Sequence, residues 1–136
     1  MLRTYRELKR IPTFIERYQY LRLAGRIGES TFGFDRYINQ LFYNSKRWRR
    51  TRDGIIIRDN GCDLGVEGYD LTYRIIIHHM NPISEKDIEL DRESIYDPDL
   101  LISTSPNTHT AIHFGDESLL PQLPIIRRKN DTCPWR

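Results

Sequence analysis

The spacing of apolar positions changes character near the middle of the chain. In the first half it is helical. The stretch "TFIERYQYLRLAG" places Thr13 as an N-cap with Glu16 three residues on, and Gly25 as a stop. In "FGFDRYINQLFYNS", Phe34, Tyr37, Ile38, Leu41 and Phe42 fall on one helical face, so its aromatics read as core. A third helix starts at Ser45, turning Trp48, Ile55 and Ile56 inward and Arg47 and Arg50 outward. The turn chemistry of "RDNGCDLG", residues 58–65, ends it.

Beyond that turn the period shortens. "LTYRIIIHH", residues 71–79, is β-branched and aromatic and predicts a strand. An acidic loop over residues 81–99 follows, with room for a short helix near Ser84–Leu90. "LLIST", residues 100–104, predicts a second strand, and Ser105 with Pro106 starts another helix. From Pro121 the prolines 121, 124 and 134 and a basic "RRK" predict an extended arm. The pattern predicts one α+β domain over residues 1–136. Residues 1–57 form a helical, basic half, residues 58–115 a strand–loop–strand–helix unit, and residues 116–136 a C-terminal arm.

A length of 136 residues suits one modest core. No apolar run approaches the roughly 18 residues of a membrane span, and no apolar segment follows the basic N-terminus, so neither a membrane partner nor a secretory signal is expected. Cys62 and Cys133 form no C-x-x-C pair and are expected as free thiols. The net charge of +2 conceals an asymmetry. Residues 1–52 carry thirteen Lys and Arg against four Asp and Glu, while the remainder carries eight against fifteen. The densest run, "SKRWRRTR" at 45–52, reads either as a solvated helix face or as a phosphate-binding surface.

The four histidines change the picture most. His109 and His113 stand one turn apart on the helix that begins at Pro106, so their imidazoles converge on one face. The preceding hairpin brings His78 and His79 towards that face. Each histidine alone reads as an ordinary helix or core residue; all four on this strand, loop, strand and helix point to a divalent metal site. Three imidazoles and open positions can hold a phosphate oxygen against a Lewis acid, and a fourth, kept off the metal, can act as general base. One problem comes from strand geometry, because adjacent residues on a regular strand face opposite ways. His78 and His79 share a site only if the strand ends or twists there.

With these residues in place, the span from Ser45 to Gly115 resembles the HNH endonuclease family in its small bacteriophage form. The lead-in "SKRWRRTRDGIIIRDNGCDLG", the doublet in "IHHMNP" and the segment "LLISTSPNTHTAIHFG" carry the resemblance, and "GESTFGFDRYINQLFYNS" is similar to the phage group's leader. The resemblance implies a ββα-metal motif packed on the helical half, and metal-dependent hydrolysis of DNA phosphodiester bonds. It implies His78 as first metal ligand, His79 as general base and His109 as second ligand, with His113 a third ligand or a contact to the scissile phosphate. One divalent ion is implied, Zn, Ni or Mn ahead of Mg. Arg47, Arg49 and Arg50 would hold the DNA backbone. The implied setting is the host-cell cytoplasm. The alternative is a non-catalytic virion or packaging component that contacts other phage proteins.

The sequence departs from the family at three places. No basic residue lies between Arg92 and Arg127, so phosphate contacts are expected from the first half or the tail. The middle Asn, which positions the general base through its backbone, falls on Leu100, beside Asp99. Where relatives place two C-x-x-C pairs, only Cys62 is retained, with Gly65, Ser105 and Thr108 at the other positions, so no four-thiolate zinc is expected.

Overall fold

Short polar side chains fix where the helices start. The structure, a computed structural model, describes residues 2–23, 36–72 and 74–121, with backbone alone for 36–39 and 85. Thr4 caps α1 (Tyr5–Leu8), a helix the apolar spacing does not predict, and Thr13 caps α2 (Phe14–Leu21) by accepting from the Glu16 amide. After α3 (Arg36–Tyr43), Ser45 caps α4 (Lys46–Arg58). Asn60 and Gly61 then take left-handed backbone and turn the chain away. The predicted short helix is present as α5 (Glu85–Glu89), started by a reciprocal capping box between Ser84 and Asp87. Ser105, with Pro106 behind it, starts α6 (Pro106–Phe114), which ends at left-handed Gly115.

Two strands pair antiparallel, β1 (Ile76–His79) and β2 (Leu101–Thr104). The first is half its predicted length, because β2 offers only four partners. The register sets Ile77 opposite Ser103, His78 opposite Ile102 and His79 opposite Leu101. Alternation therefore splits the ribbon into two faces. One face, with Ile77 and Leu101, joins Phe42, Trp48, Ile55 and Ile95 in a core built from α3 and α4. The other, with Ile102, lies against α6 and a second core of Leu8, Tyr18, Leu21, Leu64 and Ile112. The α+β expectation holds: helices packed on a small antiparallel sheet.

Several expectations are corrected. Leu41 is 58% exposed while Phe42 beside it is buried, so the apolar stripe of α3 is only partly internal. Residues 117–119 form a helical turn, and Leu120 is buried in the second core, so the arm does not begin at residue 116. Gly25, Phe34, the side chains of Tyr37 and Ile38, Cys133 and the arm beyond residue 121 lie outside the described residues. Cys62 is a buried free thiol. No helix among the described residues is long and apolar enough to cross a membrane.

Candidate metal centre

His78 lies on the α6 face of β1, and the helix presents His109 and His113 to it. The three rings meet edge to face, with centroids 5.2 Å apart for His78 and His109, 5.1 Å for His78 and His113, and 4.4 Å for His109 and His113. Their candidate ligand nitrogens all lie within 4.8 Å of one another. His109 Nε2 and His113 Nε2 are 3.0 Å apart, close to the roughly 3.3 Å that two tetrahedral ligands at about 2.0–2.1 Å from one ion would show. His78 is 2% exposed, and its Nε2 is buried with no hydrogen-bond partner among the described residues. Leaving such a nitrogen unsatisfied costs about 1–3 kcal/mol, and a cation in the cluster would satisfy it. The three residues fit a divalent metal: the cluster is a candidate metal-binding site.

Burial keeps these imidazoles neutral, the state in which they ligate. Desolvation, then the neighbouring histidines, holds His78 well below the ordinary value and His109 at about 4; burial lowers His113. The sign follows. A depressed pKa means protons compete with the metal only at lower pH, so binding should persist below pH 6 and fail as the pH approaches about 4. The same shift makes the ion-free protein most stable above about pH 6.5, losing stability as the pH falls from there towards about 4. Calorimetry should find one divalent ion per chain at neutral pH and none in a His109→Ala/His113→Ala double variant. Unchanged binding in that variant would remove the cluster as the site.

His79 points the other way, as strand alternation requires. It stacks on Trp48 at 5.2 Å and 17°, near Phe42, within the opposite core. Its Nε2 lies 3.1 Å from the carbonyl oxygen of Ile95. A carbonyl only accepts, so Nε2 carries the proton and Nδ1 keeps the lone pair. Burial lowers the His79 pKa to about 4. The doublet nevertheless borders a single cleft of about 510 Å³ along the edge of β1 not paired to β2, and that cleft also reaches His109 and His113.

The carbonyl at His79 belongs to Ile95, five residues before the position matching the family Asn. The Leu100 carbonyl instead accepts from the Met80 amide, and Asp99 accepts from the Arg6 amide. The basic helix also differs from expectation. Arg47 is engaged by Glu93 and Asp91 and lies 3.9 Å over the Tyr96 ring, while Arg49 and Arg50 are exposed and none of the three lines the cleft. Arg3 and Arg17, from the same basic half, donate to backbone carbonyls of Tyr20 and of Ile11 and Leu64. Those two arginines therefore brace the fold.

Two buried carboxylates, Asp59 and Asp63, tie the turn after α4 to β2 and to the start of α6, and sequence reasoning missed both. Asp59 accepts from the Ser103 amide and from Arg58, whose guanidinium also donates to the carbonyls of Pro98 and Leu101. Asp63 accepts from the Ser105 amide and the Thr108 hydroxyl, and Ser105 Oγ donates to Thr108. Ser105 and Thr108 occupy the positions of the family's second cysteine pair. A carboxylate knot thus stands where the resemblance would have placed a thiolate zinc clasp, which the missing cysteines already excluded. In sequence both aspartates look like ordinary turn residues.

Comparison with protein-family models, with curated proteins and with solved structures finds no match for this chain.

Proposed function

We propose that this protein is a metal-dependent nuclease that hydrolyses phosphodiester bonds in DNA. One observation carries the reading: a neutral, buried three-histidine cluster opens on the same cleft as a fourth histidine held in one tautomer by a backbone carbonyl. The resemblance of residues 45–115 to HNH endonucleases supports it.

A divalent ion on His78, His109 and His113 would supply Lewis-acid stabilisation to the charge that develops on the phosphoryl and departing oxygens. Because all three ligands are neutral, they leave the ion's full charge available to an anion. His79 takes the proton of the attacking water at Nδ1, while its Nε2–H stays on the Ile95 carbonyl. The water oxygen bonds to phosphorus, the phosphorus–oxygen ester bond breaks, and the departing oxygen takes a proton from solvent. Trp48 fixes the plane of the base by stacking on it.

The test is plasmid cleavage by untagged protein stripped of metal and then supplied with Zn, Ni, Mn or Mg in turn. Nicked or linear product should appear with one or more of these ions and vanish with chelator. A protein that binds metal and cuts nothing with any of them refutes the nuclease reading and favours a non-catalytic virion or packaging role.

A further inference from the structure

The charged residues lining the cleft among those described are Arg52 and Arg74, and no described carboxylate lines it. Helical geometry explains why it is Arg52. It stands four residues after Trp48, whose indole faces His79, so it shares that face, whereas Arg50 falls on the far side of α4. Arg74 stands two residues before β1 and lines the cleft together with His78 and His79. Arg52 meets Asp53 at 3.7 Å, but both side chains are largely exposed, so that pair holds the guanidinium weakly. Two guanidiniums and an ion on three neutral ligands make a cleft for an anion, and phosphodiester oxygens suit guanidinium forks.

From this we infer that Arg52 and Arg74, rather than Arg47, Arg49 and Arg50, form the clamp that holds the DNA backbone phosphates across the metal centre. The inference rests on the nuclease reading for its substrate, yet it is separable from it by experiment. Arg47, Arg49 and Arg50 all lie outside the cleft, and Arg47 packs over the Tyr96 ring.

The experiment is fluorescence anisotropy of a 20-base-pair DNA duplex over a salt series, in chelator, so that nothing depends on cleavage. Arg52→Gln/Arg74→Gln should weaken binding by more than about tenfold. It should also lower the slope of log affinity against log salt by about two, one per lost phosphate contact. Arg49→Gln/Arg50→Gln should leave both near wild type. Arg52→Lys/Arg74→Lys, which keeps the charges, should restore most of the slope and so separates loss of contact from loss of fold. The clamp is overturned if the Arg49/Arg50 variant takes the slope and the Arg52/Arg74 variant does not, or if the wild type fails to bind duplex. If the expected pattern appears while no metal supports cleavage, the clamp stands and the nuclease reading falls.

Discussion

Alanine at His79 should cost about 10²–10⁴-fold in DNA cleavage while leaving metal stoichiometry and DNA affinity near wild type. His79 packs in the Trp48 core and lies off the three-nitrogen cluster, so its loss leaves the ligands in place. His78→Ala should instead lose metal and activity together, because it removes one of the three converging nitrogens. Since His79→Ala also opens a gap beside Trp48, His79→Gln is the cleaner companion. A glutamine amide can still donate to the Ile95 carbonyl but cannot act as a base. Cleavage by the Gln variant at wild-type rate, with metal bound, would remove His79 from the chemistry.

The second large effect lies away from the cleft. Asp63→Ala should destabilise the fold by about 1–3 kcal/mol for the buried Thr108 hydroxyl it orphans, with a smaller addition for the half-buried Ser105 amide. Against a typical stability of about 5–15 kcal/mol, that is a large share. Asp63→Asn should lose less, since its amide oxygen can still accept from Ser105. Burial raises the Asp63 pKa, but its hydrogen bonds favour the ionised form. Denaturant unfolding of the two variants measures the difference. Equal stability of Asp63→Ala and wild type would show that the knot contributes nothing. Because this clasp is a carboxylate and not a thiolate–zinc cluster, chelator should strip the histidine site without unfolding the protein, which circular dichroism would show.

What could be read from sequence was what depends on neighbours in the chain. Thr13 and Ser105 were legible as caps because an N-cap bonds to an amide two or three residues ahead. His109 and His113 were legible because four residues make one helical turn. The opposed directions of His78 and His79 followed from strand alternation, but their common cleft did not. That cleft exists because β1 has an edge unpaired to β2, and pairing partners are not written locally. The length of β1 failed for the same reason. Arg47 looked available to DNA because its captors, Asp91 and Glu93, stand more than forty residues away. Asp63 looked like a turn residue because Ser105 and Thr108 reach it from equally far. Arg52 and Arg74 were hidden among other arginines until the cleft separated them from their neighbours.

The two-faced ribbon makes the centre a junction between two independently packed bodies. The candidate ligand His78 faces α6, beside the core of Tyr18 and Ile112, whereas His79 stacks on Trp48 in the core of Ile55 and Leu101. Their separation is thus set by how the two cores seat on four residues of β1, and any substitution that lets one body settle changes it. A displacement of about 1 Å at a reacting group can cost about 10²-fold. Cavity-forming changes as remote as Ile55→Ala or Ile112→Ala are therefore expected to damage turnover more than folding, although neither residue borders the cleft.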